Sequence, residues 1–191
     1  PVLALAGPAG DDPPTAPAGG DTLGAAVARA IQRVAPGTRT GPVNGRKASF
    51  VVQVGLPGPA TVTAARYAHR RLPHLAVTLR DGTAVVGPLV PPAGTPCLNC
   101  VDLHRADRDP QWPTLAAQLA RPPAQPREEE PYAVTTAMIG AGVAAAEVLS
   151  FLDGATPETV GASLEITGAG PPRRRSWSPH PRCHCTRRHR R

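Results

Sequence analysis

Apolar residues recur along this chain in two rhythms, and the alternation between them predicts the elements. Val2-Leu3-Ala4-Leu5-Ala6 is a short continuous apolar run, as a buried strand requires. Leu23, Val27, Ala30, Ile31 and Val34 then fall at spacings of three and four, which places them on one face of a helix that Asp21 or Thr22 caps and Pro36-Gly37 ends. Residues 36–48 are polar and contain Asn44-Gly45, so they are expected to form a loop or a short hairpin. Phe50–Val54 is again a continuous apolar run, read as a buried parallel strand. Ala60–Leu72 reads as a helix with Val62, Ala65, Tyr67 and Ala68 inward, stopped by Pro73. His74–Leu79 and Thr83–Leu89 flank Arg80-Asp81-Gly82, and Asp-Gly between two β-rich runs predicts a hairpin. Thr114–Ala120 reads as a short helix and Tyr132–Leu152 as the longest one. Gly161–Thr167 alternates as a strand does. Strand, helix, strand, helix and hairpin in that order argue for an α/β sheet.

Composition alters this picture at three points. The chain has 191 residues, enough for one domain, with 25 Pro and 19 Gly. Its core must be built mainly from Ala and Val, because only six residues are Phe, Tyr or Trp. The formal net charge of +7 invites a nucleic-acid reading, but residues 173–191 hold eight arginines and no acid. The remainder carries thirteen basic and fourteen acidic residues, so the basicity is expected to be a tail on a neutral domain, which argues against nucleic acid as the partner. No run of about 18 uninterrupted apolar residues is present, so no membrane span is expected. Pro1–Gly7 lacks the basic start of a secretory signal, and a cytoplasmic location is the expectation.

The chemistry is concentrated in the four cysteines. Cys97-Leu98-Asn99-Cys100 and Cys183-His184-Cys185 form two clips, and paired close spacing of this kind is what one tetrahedral Zn²⁺ requires. Two disulfides or four unrelated thiols are the alternatives, and adjacent-pair spacing favours the metal. Four thiolates leave no open coordination position, so the metal is expected to be structural. Gly19, Gly20 and Gly24 open the first helix in the setting of a dinucleotide loop. Asp21 stands where that loop has its second glycine, the one that lets phosphate approach the backbone, so a capped helix start is the better reading. Residues 101–113 alternate Asp, Arg and His. They read as an ion-paired surface turn, with Asp102/Arg105 and Asp109/Arg105 as pairs and Trp112 packed beside the metal. No nucleophile with a base in reach is evident, and no catalytic residue is assigned. Glu147, on the long helix, is either an exposed cap partner or a buried partner of an arginine.

The stretches Gly87-Pro88-Leu89-Val90, Thr95–Cys100, Asp102-Leu103-His104-Arg105 and Asp107–Pro113, closed by His180–Cys185, resemble E1/ThiF-like proteins of actinobacteria. These are the bacteriocin cyclodehydratase, or precursor-leader-binding, proteins of thiazole/oxazole-modified peptide biosynthesis. The resemblance covers residues 19–185. It implies a Rossmann-like sheet, degenerate or truncated at the N-terminus, with a hairpin running into the first clip and a crossover helix before the second. Adenylating members of that superfamily hold ATP with a Gly-rich loop and Mg²⁺ with an acid beyond the next strand. Here the loop carries Asp21, and Val54 is followed by Gly-Leu-Pro-Gly-Pro. ATP and Mg²⁺ are therefore not expected.

The resemblance implies a partner protein that presents a precursor leader peptide to a YcaO-type cyclodehydratase, and, by analogy, a homodimer. An active ThiF-type adenylyltransferase and a zinc module with a nucleic-acid-binding arginine tail are the alternatives. The expected organisation is a linker or remnant strand over 1–18, the E1/ThiF-like domain over 19–185 and a basic tail over 186–191.

Overall fold

The computed structural model describes residues 2–6, 23–42, 48–55, 60–92, 94–119, 133–168 and 170–185. The elements run β1 (Val2–Ala6), α1 (Leu23–Val34), β2 (Arg39–Pro42), β3 (Phe50–Val54), α2 (Ala60–His69), β4 (His74–Arg80), β5 (Thr83–Val90), α3 (Leu98–Arg108), α4 (Trp112–Leu119), α5 (Val134–Leu152), β6 (Ala162–Ile166) and β7 (Arg173–Ser176). The strands form one sheet in the order β2-β1-β3-β4-β5-β6-β7. The first four are mutually parallel, and each later strand pairs antiparallel with its neighbour. The protein is thus a mixed α/β fold, as the pattern requires.

Two layers of helices cover the sheet. On one face Leu3, Phe50, Val52, Leu75, Val77, Ala84, Val86 and Ile166 meet Val27 and Ile31 of α1 and Ala141, Ala144, Ala145 and Val148 of α5. On the other, Ala4 and Val51 meet Tyr67 of α2, and Ala76 meets Ala60, Ala64 and Leu98. Strand β3 is buried on both faces, which is why it reads as a continuous apolar run.

The hairpin forms as its sequence predicts. Asp81 (φ 50°) and Gly82 (φ 70°) both take positive φ, the backbone of a two-residue turn that matches the twist of β4 and β5. Helix α5 approaches the sheet so closely that a Cβ on Gly140 would stand 2.8 Å from the Cβ of Ala84. Its small residues are therefore a packing surface. With 19 residues and a mean hydropathy of 1.6, α5 is by length and composition long and apolar enough to cross a membrane, although no unbroken apolar run reveals it. Here it lies across β4, β5 and β6 and against α1.

Several expectations are corrected. Residues 39–42 are a strand parallel to β1, not part of a loop or hairpin; Asn44-Gly45 lies outside the described residues. Val34 is 72% exposed, so the buried face of α1 ends at Ile31. In α2, Val62, Ala65 and Ala68 face outward. Tyr67 is buried as expected, against Ala4 and Val51, and the other buried positions are Ala60, Thr63 and Ala64, of which the two alanines pack on Ala76 and Leu98. Residues 98–108 are a helix rather than a surface turn. Arg173–Arg175 are not a tail: they form edge strand β7, with Arg175 paired to Glu165 at 2.8 Å. Residues 186–191 lie outside the described residues.

Candidate metal centre

The hairpin delivers the chain to Gly94-Thr95-Pro96, and α3 begins immediately afterwards. Cys97 occupies the N-cap position with extended backbone (φ −91°, ψ 174°), and Cys100 lies in the first turn. A helix start brings residues three apart onto one side, so both sulfurs point to one spot. The second clip arrives from β7. The Trp177 N–H donates to the Gly161 carbonyl at 2.8 Å and carries the ladder past the strand, and the His180 carbonyl then accepts from Cys183 N–H at 2.9 Å to close a turn.

All four sulfurs lie within 4.8 Å of one another. Cys97 Sγ is 3.9 Å from Cys100 Sγ and 3.6 Å from Cys183 Sγ, and Cys100 Sγ is 3.3 Å from Cys185 Sγ. Four sulfurs at about 2.3 Å from a central Zn²⁺ would stand about 3.8 Å apart. A disulfide would need about 2.05 Å, and all four thiols are free. The electrostatics agree with a cation site. The Cys97 thiol donates to Cys100 and lowers its pKa to about 4, with the His180 N–H adding to the effect. Cys97 is pushed up by that same hydrogen bond and by burial, and burial pushes Cys185 up to about 12. The donor set is compatible with a metal ion.

The surroundings orient the sulfurs. His180 N–H donates to Cys100 Sγ at 3.4 Å, and Asn99 Nδ2 donates to Cys183 Sγ at 3.2 Å. His180 is 1% exposed. Its Nδ1 accepts from Arg182 N–H at 3.1 Å, so Nε2 carries the proton and donates to Asp107 at 2.8 Å. Asp107 also binds Arg182. His180 holds the Asp107 carboxyl below the usual range, and the three residues tie α3 to the second clip. His104 Nε2 donates to the Ser178 carbonyl at 2.9 Å. Although His104, Asp107 and His180 lie close enough to hold an ion, these bonds already occupy His104 Nε2 and both His180 ring nitrogens. Pattern reading missed this clasp; the one available signal was His180 standing three residues before Cys183.

The other expectations divide. Asp102 and Arg105 pair at 3.8 Å, whereas Asp109 accepts from Gln111 N–H at 2.9 Å. Trp112 donates to Asp102 and stacks under the Arg105 guanidinium, 4.7 Å from its ring centre, in place of the expected contact with the metal. Glu147 follows neither expected course: it is buried and accepts from the N–H (2.8 Å) and hydroxyl of Thr159.

The sheet order turns back between β1 and β3, the point where open α/β sheets bind ligands beyond their strand ends. Gly24 is buried there in the first turn of α1, with 3.7 Å between its Cβ position and Val54, ordinary contact distance. Gly19, Gly20, Asp21 and Thr22 lie outside the described residues.

Comparison with known proteins gives a fold likeness alone. No protein-family model and no curated protein matches the chain. Among solved structures, the heterocyclase TruD superposes with a TM-score of 0.67 at 16% identity over 96% of this chain and 27% of that one. A heterocyclase in complex with substrate and cofactor gives 0.62 at 16%, over 96% of this chain and 25% of that one. MccB of E. coli gives 0.54 at 15%, over 83% and 48%. The chain spans about a quarter of the heterocyclases and about half of MccB.

Proposed function

We propose that this chain is an E1/ThiF-like, non-adenylating partner in the biosynthesis of thiazole/oxazole-modified peptides. It would present a ribosomally made precursor to a YcaO-type cyclodehydratase. The observation that carries this reading is the agreement of two independent likenesses: the clip-centred motifs from Gly87 to Pro113, and a heterocyclase superposition spanning 96% of the chain.

In this reading Cys97, Cys100, Cys183 and Cys185 hold a structural Zn²⁺, which supplies no chemistry beyond cross-linking. Asp21 in the glycine loop, and Gly-Leu-Pro-Gly-Pro after Val54 where adenylating members carry an acid, are the reasons for assigning ATP activation to the partner.

The active-adenylyltransferase reading draws support from MccB, which has been solved with ATP and superposes at a TM-score of 0.52. One experiment separates the two. Purified chain is assayed for ATP–pyrophosphate exchange with and without precursor peptide, then added to cyclodehydratase and precursor. Background exchange together with faster heterocycle formation is expected. Robust exchange by the chain alone would establish the adenylyltransferase instead.

A further inference from the structure

Strand β7 ends the sheet, and among the described residues no strand pairs with its outer side. The Trp177 N–H donates to the Gly161 carbonyl, and in an antiparallel ladder the residues that bond to the neighbour alternate. Arg173 and Arg175 therefore turn their backbone groups to Glu165 and Ser163 of β6, while the N–H and C=O of Arg174 and Ser176 point outward. Pro172, the preceding outward position, has no N–H, so the outward donors begin at Arg174.

The side chains make this edge cationic on both faces of the sheet. Arg173 stands opposite Glu165 in the ladder and Arg174 opposite Leu164, so the two project to opposite faces. Both are exposed. Glu165 is not left for Arg173, because the Arg175 guanidinium takes both of its oxygens, at 2.8 and 3.3 Å. Among the described residues Arg173 has no ion-pair partner. The Arg174 guanidinium donates to the Ser176 hydroxyl at 2.6 Å and the Glu158 carbonyl at 3.5 Å, neither of which is charged.

Such an edge discriminates between occupants. A second copy of the chain, paired β7 to β7, would set arginine against arginine, and like charges across a ladder are destabilising. An extended segment with two consecutive acidic residues meets what the edge leaves open. Its backbone pairs with Arg174 and Ser176, and its two carboxylates, projecting to opposite faces, reach Arg173 and Arg174. We propose that β7 is a docking edge for an acidic peptide segment, which adds to the sheet as a further strand. The site is read from β7 alone and does not rest on the function proposed above.

The test titrates ¹⁵N-labelled full-length protein with acetyl-Thr-Val-Glu-Glu-Val-Thr-amide and with its Gln-Gln counterpart, following amide shifts and hydrogen exchange. The Glu-Glu peptide is expected to bind roughly threefold or more tighter. On binding, the amides of Arg174 and Ser176 should gain protection, while those of Arg173 and Arg175, already in the β6 ladder, should change little. N-methylating alternate amides of the peptide should abolish binding in one phase and preserve it in the other, because only one side of an added strand faces β7. Arg173→Gln combined with Arg174→Gln should remove the preference for Glu-Glu. Ser176→Pro, which deletes an outward donor, should weaken both peptides. The arginine substitutions and the methylated peptides keep the test decisive should Ser176→Pro fail to fold. Absence of binding, equal affinity for both peptides, equal effects of the two methylation phases, or protection gained away from β7 would overturn the proposal. So would an oligothymidylate that binds this edge where the Glu-Glu peptide does not, which would make the arginines a nucleic-acid contact.

Discussion

Gly87 shows how one residue can be fixed by its neighbours. It takes φ +109°, and a Cβ there would stand 2.5 Å from the Ala162 carbonyl oxygen. Both the backbone conformation and the approach of β6 to β5 exclude a side chain. Gly87→Ala is expected to cost about 3 kcal/mol or more, read as a lower midpoint in urea unfolding. His74 gives the other residue-scale expectation. Burial lowers its folded pKa to about 4, below the unfolded value of about 6.5, so between those values the unfolded chain binds the extra proton. Stability supplied by the neutral ring is full above about pH 6.5 and is lost as pH falls toward 4. Acid also weakens the thiolates, so the informative quantity is a difference. From pH 7 to pH 5, wild type should lose about 2 kcal/mol more than His74→Phe. An equal loss in both would show that the ring is not the titrating group.

At the scale of elements, α5 offers a paired experiment. Gly140 packs against Ala84, while Gly142, half a turn away, has nothing within 4 Å of its Cβ position. Gly140→Ala should destabilise by about 1–3 kcal/mol through overpacking, and Gly142→Ala should stabilise by about 1 kcal/mol through helix propensity. Opposite shifts of the urea midpoint are expected, and shifts of the same sign would refute the close-packing account. The same helix shows what pattern reading captures. Its small-residue face was visible in the sequence, as were β3 and the Asp81-Gly82 hairpin, because each carries a local signature of period or turn chemistry. Strand β2 was not visible. Arg39-Thr40-Gly41-Pro42 has no strand signature and is extended only because β1 pairs with it. Strand β7 hides for the same reason behind three arginines. The buried face of α2 was misread by one position around the helix: Tyr67 is buried as expected, but it shares its face with Ala60, Thr63 and Ala64, and small residues carry no signature that tells one face from the next.

For the whole molecule, the clips matter because of what they join. The four cysteines were legible from spacing. The residues that orient them were not, since Asp107 and His180 are 73 positions apart and meet only in the fold. The clips connect the start of α3 to the segment leaving β7, the far edge of the sheet, so a metal there would close a loop of about 80 residues. A cross-link of that span removes chain entropy equivalent to about 4–5 kcal/mol at 25 °C. For a domain of this size, each 1 kcal/mol shifts the midpoint of thermal unfolding by about 2–4 °C. Chelation by a competing thiol-reactive or polyaminocarboxylate agent, or Cys97→Ser, should therefore lower Tm by about 10–15 °C. Hydrogen exchange should locate the loss. Amides of α3, β7 and residues 177–185 should lose protection, while those of β1, β3 and β4, buried under α1, α2 and α5, should keep most of theirs. A protein as purified with less than about half an equivalent of zinc, or a Cys97→Ser variant that keeps its metal and its Tm, would remove the cross-link from the account. The His180–Asp107–Arg182 clasp would then be what holds the second clip to α3.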